Sequence, residues 1–242
     1  SMKTVTAIVG SPQKVNSSTY RAVVEIMNSI TSSDYECKKN IISLSDYNIQ
    51  NCKGCARCFA TCSSCQQYED DIKQIEEELL KSEVIIFASP VYAHNITGTM
   101  KNFIDRIAYG LHIMRFTGKY GVTVSLSDSN GNSFVDGYLS KILMYMGVKV
   151  IQNISIQRVK AVDPSVIINC GKQITEIIEG SGGRKSTEYE ELVFQTMKNA
   201  LLNVQERLET NETRYWKEHG YFECNSFEEV FQREKYRLDN II

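Results

Sequence analysis

The chain of 242 residues is 42% hydrophobic and 23% charged, with 27 Lys and Arg against 29 Asp and Glu for a formal charge of -2. That length and apolar content suit one domain with an attached extension, and the near-neutral charge gives no electrostatic footprint for nucleic acid or an anionic membrane surface. No apolar run approaches the roughly 20 residues that span a bilayer, and no basic-then-apolar leader opens the chain, so a soluble, cytoplasmic protein is expected, with Ser1 before Met2 read as the scar of a cleaved tag.

The first element is the apolar run at 4–9, a buried strand stopped by Gly10-Ser11-Pro12. Ala22, Val23, Ile26, Met27 and Ile30 then recur at helical spacing and predict a helix over 17–30. A strand-turn-helix of this kind leaves backbone donors and the hydroxyls of Ser11, Ser17, Ser18 and Thr19 at the positive end of a helix, where a phosphate is held; the same residue types also serve as ordinary caps. The second strand, at 36–44, carries Lys38-Lys39-Asn40 and belongs at a sheet edge.

Five of the eight cysteines, Cys52, Cys55, Cys58, Cys62 and Cys65, crowd the next segment. Inside a cell that clustering points to metal, iron-sulfur or redox thiols before disulfides. Ile72, Ile75 and Leu79 mark a helix opened by Asp70 and Asp71, and 84–88 reads as a central parallel strand. A helix from Thr97 buries Met100, Phe103, Ile104, Ile107 and Ala108. The fourth strand lies at 120–125, and Val135, Leu139, Ile142, Leu143 and Met146 form the following helical stripe. A fifth strand at 148–156 precedes a helix capped by Asp163 with Pro164 at its first position, supported by Ile167, Ile168, Ile174, Ile177 and Ile178.

Five strand-helix alternations argue for a doubly wound parallel α/β sheet, with its ligand crevice at the carboxyl ends of the strands. The Gly- and Ser-rich stretch 180–185 reads as a flexible boundary between a domain at 2–180 and a helical extension at 187–242. The extension's long apolar stripe, from Leu192 to Leu208, must cover its own core or a second subunit.

The combination of Gly10-Ser11-Pro12-Gln13-Lys14 through Ser17-Ser18-Thr19, Cys52-Lys53-Gly54-Cys55-Ala56-Arg57-Cys58, Asp70-Asp71, Ser89-Pro90-Val91-Tyr92 and 98–106 resembles the flavodoxin-like NAD(P)H-dependent FMN reductase family, including its iron-sulfur flavoprotein branch. The resemblance implies a five-stranded sheet of order 2-1-3-4-5 and a bound FMN. Its phosphate would rest on Ser11, Ser17, Ser18 and Thr19 with Lys14 nearby, and Pro90, Val91, Tyr92 and Asn95 would contact the ribityl chain and ring. Ser125 and the loop to Gly131 would close the other edge; Asp128 would approach the ring or simply start the turn. Tyr92 has a rim reading beside its cofactor reading, and His94 a solvent-facing one. Hydride transfer from NAD(P)H to flavin demands no acid-base pair, so no catalytic base is named; electrons would pass to a quinone, a flavin or another small acceptor, in a protein expected to be a homodimer.

The spacing Cys52-x2-Cys55-x2-Cys58 matches the start of a cubane ligand run, with Cys62 or Cys65 as the fourth ligand. Three readings stand open: a [4Fe-4S] cluster, metal-free thiols, or zinc. With a cluster the protein would be an electron carrier with a redox protein partner. A non-enzymatic flavin-binding or regulatory module on the same fold is the rival of another class.

Overall fold

The computed structural model describes residues 2–32 and 34–240. Ser1, Ser33 and the last two residues of the expected extension, Ile241 and Ile242, lie outside the described residues. Strands β1 (Lys3–Val9), β2 (Cys37–Ser43), β3 (Val84–Pro90), β4 (Tyr120–Ser127) and β5 (Lys149–Gln157) form one sheet in the order β2-β1-β3-β4-β5, all parallel. The inner strands β3 and β4 are buried at every position because helices cover both faces, which is why β3 reads as a nearly unbroken apolar run, while β4 also buries Thr123, Ser125 and Ser127. β2 stands at an edge as its lysines predict.

Side-chain alternation sorts two cores. Val5, Ala7 and Val9 of β1 with Val84, Ile86 and Ala88 of β3 face α1 (Ser18–Asn28). On the other side Ile8, Ile85 and Phe87 meet Ile72 and Ile75 of α3 (Ile72–Leu80), Met100 and Phe103 of α4 (Gly98–Ile107), and Val135 and Leu139 of α5 (Asn132–Tyr145). The short α2 (Arg57–Thr61) sits inside the cysteine segment, and α6 (Pro164–Ile178) packs beside α1. Asp163 caps α6 as the sequence predicts, accepting from the Ser165 amide at 2.9 Å.

Helices α7 (Glu188–Gln205), α8 (Asn211–Glu218) and α9 (Phe227–Asp239) make up the extension. Their aromatics Phe194, Trp216, Tyr221, Phe227 and Phe231 belong to the same core as α1 and the sheet. Phe194 stacks on Trp216 with centroids 5.7 Å apart, and Trp216 Nε1 donates to the His112 carbonyl at 3.1 Å.

Three local expectations need correcting. Ile168 faces outward, 60% exposed, because α6 turns only its Ile167, Ile174, Ile177 and Ile178 side to the sheet. The stretch at 180–185 is tied down: the Ser181 and Gly182 amides both donate to the Glu176 carbonyl, and the Arg184 guanidinium holds the Val150 carbonyl and the Glu190 carboxylate. On α7 the stripe is covered only around Phe194, Met197 and Leu201; Leu192, Leu202, Val204 and, past its end, Leu208 remain exposed.

Candidate functional site

The sheet order reverses between β1 and β3, and the loops after β1, β3, β4 and β5 meet at that end. Their backbones are tied to one another. The Gly10 amide donates to the Ala88 carbonyl at 2.8 Å, Val91 to Leu126 at 2.8 Å, and Arg158 to Ser127 at 3.0 Å. Thr97 caps α4 by accepting from the Met100 amide, while its own hydroxyl donates to the Gly10 carbonyl at 2.6 Å. Gly10 is required by close approach: a Cβ there would stand 2.7 Å from the Met100 Cβ.

In the first loop Ser17 caps α1, accepting from the Tyr20 amide at 2.9 Å, and Ser11 accepts from Gln13 at 3.3 Å. Ser11, Ser17 and Thr19 are buried, whereas Ser18 is half-buried at the mouth. Lys14 turns away toward the β2 side, its Nζ 3.2 Å from the Asp46 carboxylate. Two guanidiniums that the sequence reading missed stand at the mouth instead: Arg21 and Arg158 donate to the Ser18 hydroxyl at 3.1 and 3.0 Å.

The third loop is a tight turn in which Tyr92 and Asn95 exchange backbone hydrogen bonds at 2.8 and 3.0 Å. Ala93 and His94 between them have φ of 48 and 61°, a left-handed pair that costs each an L-residue penalty. Pro90 is buried, Val91 half-buried, and Tyr92 and Asn95 exposed on the rim. Gly131, at φ 89°, brings the fourth loop against the third, since a Cβ there would stand 2.7 Å from Val91 Cγ1. Phe134, unremarked in the sequence, is 61% exposed with its ring 5.9 Å from that of His94. Exposed Val15, Tyr92, Phe134 and Val159 thus give this rim an apolar lining.

Asp128 is on the rim with its carboxylate 3.6 Å from Arg158. Ser125 lies beneath, fully buried, its hydroxyl accepting from Asn132 at 3.0 Å. Burial pushes the nearby Asp136 carboxyl above its ordinary range, opposed by the hydroxyls of Ser155 and Ser125.

A second concavity, about 330 Å³, opens beside α4. Cys52, Cys55, Cys58 and Cys65 line it, together with Lys53, Arg57 and Arg106. Cys62 is not in its wall: its Sγ lies 3.5 Å from the Phe59 carbonyl, and burial, then Glu212 and Cys58, push its thiol up to about 11. None of the five is disulfide-bonded. The loop is fixed by Asn102, which takes the Cys52 amide at 3.3 Å and donates to the Ile49 carbonyl at 3.2 Å. Arg106 and Asp70 form a fully buried pair at 2.7 Å, and Arg106 also donates to the Gln50 carbonyl at 2.7 Å. Burial opposes ionisation of Asp70, but Arg106 and the amides of Gln50 and Ile72 outweigh it and hold the carboxyl below its usual range. Helix α8 braces the far side, the Asn211 amide side chain donating to the Ala60 carbonyl at 2.6 Å and Glu212 lying 2.8 Å from His112. Among the described residues no three His, Cys, Asp or Glu side chains gather closely enough to hold a single metal ion.

Comparison with known proteins gives the family and supports the fold. The model of the NADPH-dependent FMN reductase family matches residues 3–162. An iron-sulfur flavoprotein of Archaeoglobus fulgidus is 30% identical over 227 residues, covering 91% of this chain and 100% of that protein. Among solved structures, an NADH:FMN oxidoreductase superposes with a TM-score of 0.53 at 20% identity, covering 75% of this chain and 91% of the other. An NAD(P)H:quinone oxidoreductase from Methanothermobacter marburgensis gives 0.54 at 13% identity, covering 77% and 100%. At such identities the two structures speak for the fold.

Proposed function

The chain belongs to the NADPH-dependent FMN reductase family, and on that footing we propose that the rim at the carboxyl ends of β1, β3, β4 and β5 is where it holds FMN. It is an FMN-dependent oxidoreductase that takes hydride from NAD(P)H and passes electrons to a small acceptor. The observation that carries the site is the capped mouth of α1 joined by backbone hydrogen bonds to an apolar-lined rim at the point where the strand order reverses.

The residues fit such a group. Ser11, Ser17, Ser18, Thr19 and the α1 amides offer hydroxyl and N–H donors to a phosphate. Pro90, Val91, Tyr92 and Asn95 form one side of the ring pocket; Gly131 and Asp128 form the other, with Ser125 acting from below through Asn132. Bound flavin supplies the hydride and electron chemistry; the chain orients it, excludes water with Val91, Tyr92 and Phe134, and needs no proton-transferring base. Purified protein is expected to be yellow, with maxima near ~375 and ~450 nm, and to oxidise NAD(P)H only with an acceptor present. A colourless preparation that binds no added FMN overturns the assignment. Ser18→Asp, which sets a carboxylate against the phosphate, is expected to lower FMN affinity strongly.

A second reading concerns the cysteines. We propose Cys52, Cys55, Cys58 and Cys65 as the ligands of a [4Fe-4S] cluster, because these four share one concavity and Cys62 does not. A cubane takes one thiolate at each of its four iron corners, a number that the four cysteines of this wall supply. Such a cluster would pass single electrons to a redox protein partner. After anaerobic purification, Cys62→Ser is expected to keep iron and sulfide at the level of the unsubstituted chain, and Cys65→Ser to lose them. Absence of iron from both, and from the parent, overturns the cluster and removes the electron-carrier reading, and a zinc assay of the same samples then separates a zinc site from metal-free thiols. The exposed Leu192, Leu202, Val204 and Leu208 support a homodimer through α7.

A further inference from the structure

Two cations converge on one neutral oxygen. Arg21, in the second turn of α1, and Arg158, just past β5, approach the Ser18 hydroxyl at 3.1 and 3.0 Å. The hydroxyl can accept from both but neutralises neither. The only carboxylate beside the pair among the described residues is Asp128, 3.6 Å from Arg158 and 85% exposed, where water screens it. The amino end of α1 adds its own positive field, and its first turn holds no acidic residue. Two guanidiniums this close repel each other, and the helix end repels both, so the arrangement calls for a multiply charged anion at Ser18.

We propose that Arg158, with Arg21, binds the terminal phosphate of the flavin and makes the site selective for the mononucleotide over the unphosphorylated flavin. The inference rests on the flavin reading above and adds to it a residue from the fifth loop. Lys14, the basic residue in the first loop itself, is paired with Asp46 and does not take this role. Arg158 can reach the mouth because its backbone amide is fixed on the Ser127 carbonyl at 3.0 Å and the next amide, Val159, on the Asp128 carbonyl at 3.1 Å. A guanidinium presents two parallel donors, which match two oxygens of a phosphate in a charge-assisted pair, whereas the neutral hydroxyl that ends riboflavin offers it a single oxygen and no charge.

The test is a titration of flavin-stripped protein with FMN and, separately, with riboflavin, followed by quenching of flavin fluorescence, for the parent chain, Arg158→Gln, Arg21→Gln and Ser18→Asp. Arg158 is half in solvent, so its substitution leaves the fold intact. Arg158→Gln is expected to weaken FMN about tenfold or more, with riboflavin unchanged within about twofold. The FMN affinity of the parent should also fall more steeply with added salt than that of Arg158→Gln. If Ser18→Asp loses FMN but Arg158→Gln keeps it, the inference fails while the phosphate site stands. If both keep it, the flavin assignment at this rim fails with it. An equal loss of FMN and riboflavin in Arg158→Gln assigns the residue to the ring pocket or the fold and likewise overturns the proposal.

Discussion

The side chains of Asp70 and Arg106 are both shielded from solvent, so each offsets the desolvation of the other's charge. Asp70→Asn leaves the guanidinium buried without its counter-ion and is expected to cost about 3–5 kcal/mol in a urea unfolding experiment. The sign with pH follows from the depressed carboxyl. Its stabilisation is fully present above the unfolded value near ~3.9 and is lost as pH falls through the lower native one, so the acid limb of the stability profile should flatten in Asp70→Asn. Gly10→Ala tests crowding at the opposite end of the same helix: the new methyl meets Met100 at 2.7 Å and is expected to cost about 1–3 kcal/mol in thermal melts. Of these residues the sequence shows Gly10 and the serines around it, because local strand-turn-helix chemistry marks them. Arg158 was invisible, since nothing local to it points to Ser18, 140 positions away. Lys14 was the cation the loop suggested, and Asp46 holds it elsewhere.

Helix α4 ties the two candidate sites together. Its cap, Thr97, holds the first loop, while Asn102 and Arg106 hold the cysteine segment. Thr97→Ala removes an acceptor for the Met100 amide and a donor to the Gly10 carbonyl, and is expected to cost about 1–2 kcal/mol, with Thr97→Ser restoring most of it in the same melting assay. The apolar pattern makes this helix and the central strand readable, as an apolar run for β3 and a recurring stripe for α1, α4 and α5. Helix α2 escaped it: left-handed Ala56 and Cys62, at φ 57 and 49°, bracket it without the glycine or asparagine that announces such a bend. The turn at Ala93 and His94 hides its geometry in the same way.

For the molecule as a whole, the extension is part of the core that folds the sheet. Ending the chain at Ser186 would strip Phe194, Trp216, Tyr221, Phe227 and Phe231 from it. At about 1.5–3 kcal/mol for each large side chain, that loss rivals the entire 5–15 kcal/mol of a typical domain. The truncated chain is expected to show no cooperative melt by circular dichroism. Replacing Leu202 and Leu208 together by Glu leaves that core untouched and tests the proposed pairing through α7: in sedimentation velocity the parent is expected to run as a dimer and the double variant as a monomer. The aromatics were legible as a cluster seeking cover, but which face of the sheet received them was not, because that choice depends on the packing of α1 and α6 far away in the chain.

The backbone ties between the four rim loops bear on how quickly a ligand is captured. Segments already fastened to their neighbours have little remaining chain freedom to surrender, so encounter should be governed by diffusion and charge instead of by a slow closing motion. Stopped-flow mixing is then expected to show a single phase whose rate climbs linearly with flavin concentration, and a plateau at high concentration would reveal a rearrangement that this network of hydrogen bonds does not anticipate.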